Sequence, residues 1–176
     1  MISEPKNAAV LIPIYRHPQT NGLHLVIIRR TPGGSHSGQL AFPGGGAEPE
    51  DDSLTTTAIR ETHEEIGLPP ENITIVADFP AVQTFNDRYR VHPFLARIVP
   101  LDKWIPDPAE VAEVIDVSLD YLTAPETHTE EDWYFERWDM TRRIPFYRIG
   151  PHPLWGLTYH ILTPLLPRIM KGEWQF

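Results

Sequence analysis

The sequence contains no cysteine among its 176 residues. A disulfide framework, thiolate metal ligands and a cysteine nucleophile are therefore excluded. No apolar run approaches the ~20 residues that a membrane-spanning helix needs. Residues 1–7 also lack a basic segment followed by a long apolar one, so we expect no signal peptide. These absences lead us to expect a cytoplasmic protein with no membrane partner.

Positive charge is scarce as well. Lys and Arg number 15 against 24 Asp and Glu, which gives a formal net charge of −9. Duplex nucleic acid is not an expected partner, because binding a phosphate backbone requires a basic surface. A small anionic ligand stays compatible, since a bound metal ion can supply local positive charge. The globular composition, with 41% hydrophobic and 22% charged residues, predicts one compact domain over residues 1–176.

Proline, by contrast, is abundant, and its 19 copies predict many loops and short elements. Apolar and β-branched runs predict the strands. Together with one central and one terminal helix they predict an α/β/α sandwich with a mixed sheet. The predicted strands are residues 8–15, 23–30, 39–42, 73–84, 89–99, 111–119, 133–138 and 144–149. An acidic loop is predicted over 125–132. A terminal helix is predicted over 155–170, and Pro164 and Pro167 would kink it or delay its start.

The central helix has clear boundaries. Asp51, Asp52 and Ser53 are all acceptable N-cap residues. Gly67 stands where helices commonly end in a left-handed residue, and two prolines follow it. At 3.6 residues per turn, one arc of this helix is mostly apolar. That arc consists of Thr55, Ala58, Ile59, Thr62 and Ile66.

Three carboxylates, Glu61, Glu64 and Glu65, lie on the neighbouring arc at positions i, i+3 and i+4. Like charges at this spacing repel by a few tenths of a kcal/mol per pair, and they lie near the unfavourable end of the helix dipole. Arg60, four residues before Glu64, offsets only part of this repulsion. A solvated acidic face is one explanation. A divalent cation is the other, because Mg²⁺ and Mn²⁺ prefer hard oxygen ligands.

A glycine corner, Gly44 to Gly46, precedes this helix and favours the second explanation. Glycine allows tight turns and close backbone approach, and the backbone groups freed there can face a metal ion or a phosphate. A purely structural acidic helix has no need for such a corner. The two features together predict a Mg²⁺ or Mn²⁺ site next to a phosphate-binding loop.

This stretch resembles the Nudix box, which reads glycine, spacer, acid, spacer, then Arg-Glu-x-x-Glu-Glu-x-Gly-aliphatic. Residues 60–68 carry the second half of the pattern, with Thr62 in place of the usual aliphatic residue. The first half fits from Gly46 with Asp52 as the acid, or from Gly45 with Asp51 as the acid and one inserted residue. The resemblance implies a Nudix-type α/β/α sandwich with a loop–helix–loop catalytic motif at about residues 45–68.

A narrower resemblance points to the Nudix coenzyme A pyrophosphatases. It rests on residues 25–29, 35–39, 42–45, 57–58 and 155–158. Ile27 stands where that signature has Thr, and Gly34 where it has Arg, which leaves the substrate open. The implied reaction converts coenzyme A or acyl-CoA to 3′,5′-ADP and 4′-phosphopantetheine. ADP-ribose or a dinucleotide is the alternative substrate, and a non-catalytic nucleotide-binding module is the alternative of another class.

The resemblance also implies roles for individual residues. Glu61 and Glu65 would bind the metal ion, with Glu64 as a further ligand or as a partner of the ligands. A backbone carbonyl at Gly45 or Gly46 would complete the site. Arg60 would hold the glutamates in register. The general base stays open between Glu64 in the box and two carboxylates outside it, Glu110 and Glu113.

Other candidates are less well defined by the sequence. Arg29 and His36 are expected to meet the substrate, together with the backbone of Gly44 and Gly45. Arg30 could also bind phosphate, or one of the two arginines could be a surface charge at the end of a strand. Trp155 is expected to belong to the core, and His128 to a solvated loop rather than a second metal site. The aromatic C-terminal third could be core or could form the surface of a homodimer.

Overall fold

The computed structural model of the protein describes residues 4–33, 37–85 and 88–176. It consists of strands and three α-helices in these ranges, joined mostly by short connections. The elements are β1 (Lys6–Arg16), β2 (Leu23–Arg30), β3 (Leu40–Ala41), β4 (Gly44–Gly46), α1 (Leu54–Ile66), β5 (Ile73–Asp78), β6 (Val82–Gln83), β7 (Tyr89–Ile98), β8 (Val111–Ser118), α2 (Leu119–Thr123), β9 (His128–Phe135), β10 (Met140–Ile149), β11 (His152–Leu154) and α3 (Gly156–Met170).

Within the described residues, eight strands form one mixed sheet. Its central path runs β3-β2-β1-β7-β5, with β8 paired to β2 and β6 paired to β7. Strand β1 is parallel to β7 and antiparallel to β2. Its first half also pairs with β4, so that the glycine corner is hydrogen-bonded to the middle of the sheet. Strands β9, β10 and β11 form a separate antiparallel sheet.

The two faces of the large sheet carry two hydrophobic cores. Successive side chains of a strand point to opposite faces, so Leu11 joins the core beneath α1 while Ile12 joins the core beneath α3. Helix α1 therefore covers one face, and α2 and α3 cover the other. The α/β/α sandwich expected from the sequence is confirmed.

Several predicted boundaries are confirmed and one strand is corrected. Residues 23–30 form β2 as predicted, and the segment over 8–15 is extended at both ends in β1. The single strand predicted over 73–84 is wrong, because β5 ends at Asp78 and β6 begins only at Val82. Pro80 lies in the gap, and proline cannot donate to a strand ladder.

The acidic loop predicted over residues 125–132 is also wrong, since β9 begins at His128. Its carboxylates point to solvent and meet arginines of the neighbouring strand: Arg143 lies 2.9 Å from Glu130, and Arg148 lies 2.9 Å from Glu131. Opposite charges across a strand pair stabilise it. The acidic composition was therefore a feature of an exposed strand face.

Helix α3 runs from Gly156 to Met170 without a break at Pro164 or Pro167. Both prolines are exposed, so the carbonyl groups that lose a partner face the solvent side. An interior proline costs about 3 kcal/mol, whereas each buried Leu or Ile contributes about 1.5–3 kcal/mol. Five such side chains of α3 are buried and outweigh the two prolines: Ile161, Leu162, Leu165, Leu166 and Ile169.

No helix in the described ranges is both long enough and apolar enough to cross a membrane.

Candidate active site

Helix α1 is held at both ends by local contacts. The Ser53 hydroxyl accepts a hydrogen bond from the Thr56 N–H at 3.1 Å, which makes Ser53 the N-cap. At the other end Gly67 is left-handed, with φ 73°, and its N–H donates to the His63 carbonyl. These caps fix where the helix begins and ends. They therefore fix which glutamates face the glycine corner.

The three glutamates of α1 occupy three different environments, although the sequence placed them on one arc. Glu65 lies on the buried face beside Ile66 and is only 2% exposed. Glu61 is half-buried, while the Glu64 side chain is 55% exposed. The difference in exposure has a geometric cause, because the glycine corner, which forms β4, covers the arc of α1 between the apolar residues and Glu61.

Glu65 is buried, and in the described structure only one of its two carboxylate oxygens accepts a hydrogen bond. The Gly44 N–H donates to Oε2 at 2.8 Å. Oε1 lies 3.7 Å from Nη2 of Arg30, an ion-pair contact beyond hydrogen-bonding distance, and no donor among the described residues forms a hydrogen bond with it. Burial raises the pKa of Glu65 to about 7, against the opposing effects of the Gly44 hydrogen bond and the Arg30 charge. A buried carboxylate oxygen without a partner is costly, and a cation ligand is one way to offset that cost.

Glu61 lies directly against the glycine corner. A Cβ placed on Gly45 would come within 2.5 Å of the Glu61 carboxylate, so any larger residue here would displace that carboxylate from the corner. Gly44 is required for a different reason, since its φ is 146° and a Cβ there would meet the Ala9 carbonyl oxygen at 2.3 Å. Burial raises the pKa of Glu61, and the neighbouring Arg60 opposes that rise.

Arg60 joins the corner to the helix. Its guanidinium donates to both carboxylate oxygens of Asp51, at 2.9 and 3.0 Å, and to the Gly46 carbonyl at 3.1 Å. One further nitrogen, Nη1, lies 3.1 Å from Glu61 and 3.0 Å from Glu64. Planar, multidentate arginine contacts of this kind fix geometry as well as charge. Arg60 thus holds two of the three glutamates in place, as the resemblance implied.

The acid of the box is Asp51 rather than Asp52. Asp51 also accepts hydrogen bonds from the Thr57 hydroxyl at 2.8 Å and from the Glu48 N–H at 2.9 Å. The hydrogen bonds from Arg60 and Glu48 hold its pKa well below the usual range. Asp52 is exposed. The alignment that starts at Gly45 and carries one inserted residue is therefore the one that the structure supports.

A fourth carboxylate, Glu110, comes from the segment before β8. Its charge raises the pKa of both Glu61 and Glu65, which places it in the same electrostatic site. Glu113 does not share this site, because it pairs with Arg29 at 3.1 Å. In the register of β2 and β8, Arg29 lies directly opposite Glu113, so both side chains belong to the same sheet face.

Of the two neighbouring arginines, Arg30 contacts the glycine corner and Glu65, whereas Arg29 pairs with Glu113. Arg30 shares the face of Val26 and Ile28, beneath α1, and donates to the Gly44 carbonyl at 3.4 Å. Arg29 follows the opposite face, with Ile27. The alternation of a strand could have separated the two arginines in the sequence, had the orientation of one β2 residue been known.

Two other candidates from the sequence require comment. His36, together with Gly34 of the coenzyme A signature, lies outside the described residues. His128 is an exposed residue of β9, and its Nε2 lies 2.7 Å from the Tyr159 hydroxyl while the two rings stack at 5.7 Å. This contact explains His128 without a metal ion.

The donor set of the corner fits a hard divalent cation. Glu65 Oε1 is available, the Glu61 carboxylate lies beside Gly45, and Glu110 adds negative charge. Within the described ranges, no three His, Asp or Glu side chains converge closely enough to hold a metal ion alone. Mg²⁺ commonly takes only one or two carboxylates and completes its shell with waters and substrate phosphates.

Comparison with known proteins agrees with this geometry. The family model described as "NUDIX domain" matches residues 5–139. The mouse (Mus musculus) mitochondrial coenzyme A diphosphatase NUDT8 is 33% identical over 183 residues, covering 98% of this chain and 82% of that protein. The uncharacterized Nudix hydrolase NudL of Pectobacterium atrosepticum is 32% identical over 169 residues, covering 96% and 85%.

The fold is likewise similar to a solved structure, that of a Nudix hydrolase from M. smegmatis named RenU. The TM-score is 0.65 at 17% identity, with 97% of this chain and 89% of that chain covered. At this identity the similarity concerns the fold alone. The family model and the relatives above 30% identity establish more: the chain belongs to the Nudix hydrolases, a family of metal-dependent enzymes that cleave diphosphate bonds.

Proposed function

We propose that the protein is a Mg²⁺- or Mn²⁺-dependent diphosphatase that hydrolyses coenzyme A or acyl-CoA to 3′,5′-ADP and 4′-phosphopantetheine. The observation that carries the chemistry is the half-satisfied carboxylate of Glu65, which is buried between Gly44 and Arg30 and whose Oε1 accepts no hydrogen bond from the described part of the chain. A buried carboxylate oxygen without a hydrogen bond does not stabilise a purely structural helix. The same oxygen is a suitable ligand for a cation that binds next to a diphosphate.

The residues of α1 and of the glycine corner have different roles in this proposal. Glu65 and Glu61 would hold the cation, and a bound divalent ion supplies Lewis acidity toward the diphosphate and toward water. Arg60 keeps Glu61 and Glu64 in position through shared contacts at 3.0–3.1 Å. The backbone of Gly44 and Gly45 lets the substrate phosphates approach the helix, because no Cβ stands in the way.

We infer that Glu110 is the general base that accepts the proton of the attacking water. Glu64 is already engaged by Arg60, and Glu113 by Arg29. Glu110 is exposed to solvent and still close enough for its charge to act on Glu61 and Glu65. A general base must come within hydrogen-bonding reach of the attacking water. That water would lie beside the metal-binding carboxylates, and Glu110 meets this requirement best among the open candidates.

The substrate assignment rests on the coenzyme A signature and on the coenzyme A diphosphatase relative. Gly34 in place of the signature arginine is the departure that a substrate panel must address. The panel contains coenzyme A, an acyl-CoA, ADP-ribose and a dinucleotide, each with Mg²⁺ or Mn²⁺, and the products are identified chromatographically. We expect coenzyme A or acyl-CoA to have the highest kcat/KM. An equal or higher value for ADP-ribose would overturn the assignment, and binding without any hydrolysis would indicate a non-catalytic module.

The role of the base is tested with Glu110→Gln and the matched control Glu113→Gln. Loss of a general base lowers kcat by about 10²–10⁴-fold, so we expect such a fall in Glu110→Gln together with loss of the acid limb of the pH–rate profile. Glu113→Gln should stay within about threefold of the parent. If the two variants behave alike, Glu110 is not the base.

A further inference from the structure

Aromatic rings join three segments that are far apart in the chain. Phe85, just after β6, meets Trp138 at the β9–β10 turn with 5.6 Å between ring centroids. Trp138 in turn contacts Phe135 at 5.7 Å, and Phe135 contacts Trp155 at 6.1 Å. We call these four side chains the aromatic strip. The strip begins in the half-buried layer at Trp155 and ends in solvent.

The outer end of the aromatic strip is unusually exposed. Phe85 is 75% exposed and Trp138 is 50% exposed. Large rings in this state gain little from burial, since apolar stabilisation scales with the area removed from water. Contiguous exposed apolar side chains commonly mark a binding surface. Packing against the hydrophobic core therefore does not explain the outer end of the aromatic strip.

The aromatic strip lies at the same end of the large sheet as the glycine corner. Ala8 of β1 pairs with Gly46 on one side and with Val91 of β7 on the other. Two residues nearer the end of the sheet, Tyr89 accepts a backbone hydrogen bond from Thr84, the residue before Phe85. Neighbouring strands are about 4.8 Å apart, so a few strand spacings place Phe85 within about 20 Å of the glycine corner.

Uncompensated positive charge accompanies the rings. The Arg142 guanidinium lies 5.7 Å from the centre of the Phe85 ring. Among the residues that the structure describes, no carboxylate comes within ion-pair distance of Arg142, whereas the neighbouring Arg143 and Arg148 pair with Glu130 and Glu131. In a chain of net charge −9, an arginine that lies beside the exposed Phe85 ring and has no ion-paired acid among the described residues fits a ligand with a flat ring and an anionic group.

We propose that the aromatic strip is a stacking platform for the nucleobase of the substrate, with Arg142 facing a phosphate of the same nucleotide. The proposal rests on the proposed function, and it adds where the base is held. Nucleobases stack on aromatic side chains with about 1–3 kcal/mol per base, and arginine is suited to phosphate. An apolar protein partner would use the rings and leave Arg142 unused.

The test measures binding separately from hydrolysis. Isothermal titration calorimetry compares AMP, which carries a base and a phosphate, with inorganic diphosphate, which carries no base. In Trp138→Ala we expect the Kd for AMP to rise at least fivefold, with the Kd for diphosphate unchanged. Trp138→Phe should restore most of the AMP affinity, which separates stacking from a folding defect. Arg142→Gln should weaken AMP binding most at low salt.

Tyr134→Ala is the matched control. Tyr134 precedes Phe135 in β9 and is also exposed, but its hydroxyl donates a hydrogen bond to Asp139 and its ring is not part of the aromatic strip. Unchanged AMP affinity in Trp138→Ala, or an equal loss in Tyr134→Ala, would overturn the proposal. So would a dimer that Trp138→Ala converts to monomer in light scattering, since the strip would then be a subunit interface. Intact AMP binding with no hydrolysis by the parent protein would instead contradict the proposed function alone.

Discussion

The two long helices stand on opposite faces of one sheet and are built in opposite ways. The buried face of α1 includes Glu65 and two threonines, Thr57 and Thr62, and both of its ends are fixed by a cap. The buried face of α3 is almost wholly apolar, no side chain caps its N-terminus, and two prolines lie inside it. The helix with the better local design thus has the more polar buried face.

This contrast shows where each helix obtains its stability. Helix α3 is stabilised by burial, so local faults such as Pro164 and Pro167 are tolerated. Helix α1 carries a carboxylate in its buried face, which disfavours folding unless the group is protonated or paired. Caps and the contacts of Arg60 offset that cost. Three carboxylates of the proposed site lie on α1, where Arg60 and the glycine corner hold them in place.

The largest expected effect separates function from stability in α1. Glu65→Gln keeps the shape of the side chain and removes its charge, so kcat/KM should fall at least 100-fold, about the size seen when a preorganised charge contact is lost. The free energy of unfolding in metal-free buffer at pH 8 should stay equal or rise. Steady-state kinetics and urea unfolding measure the two quantities. Retained activity would remove Glu65 from the site.

The opposite outcome is expected in α3. Leu162 is fully buried, and truncation of a buried leucine costs about 2–5 kcal/mol. Leu162→Ala should therefore lower the free energy of unfolding by that amount while kcat/KM per folded molecule changes less than twofold. If activity fell while stability held, the assignment of separate roles to the two helices would be wrong.

A smaller effect is expected in the pH dependence of the metal-free protein. Glu65 has a pKa of about 7 when folded against an ordinary 4.5, so folding favours its protonated form. Its contribution is complete below about pH 4.5 and is lost as the pH rises through 7. The free energy of unfolding should fall over that range by at most about 3 kcal/mol. In Glu65→Gln this component should be absent, so the difference between the parent and variant pH profiles measured by urea unfolding should change by that amount over this pH range. Parallel profiles would contradict it.

Much of the site could be predicted from the sequence because its signals are local. Ser53 and Gly67 act within one turn of α1, so the helix boundaries were readable, and the glycine corner lies immediately before them. The identity of the acid, Asp51, was left open because its selection depends on where Arg60 reaches. The sequence did not separate Arg30 from Arg29, since the face of a strand residue depends on the orientation of the whole sheet.

The sequence by itself determined the family, the sandwich, the C-terminal cap of α1 and the presence of three carboxylates on that helix. The tertiary structure alone decided that Glu65 is buried while Glu64 is exposed, that the acidic residues near His128 form a strand, and that Phe85 meets Trp138. The physical reason is the range of the interactions. Helix period, caps and turns depend on neighbouring residues, whereas burial and charge compensation depend on groups that only the folded chain brings together.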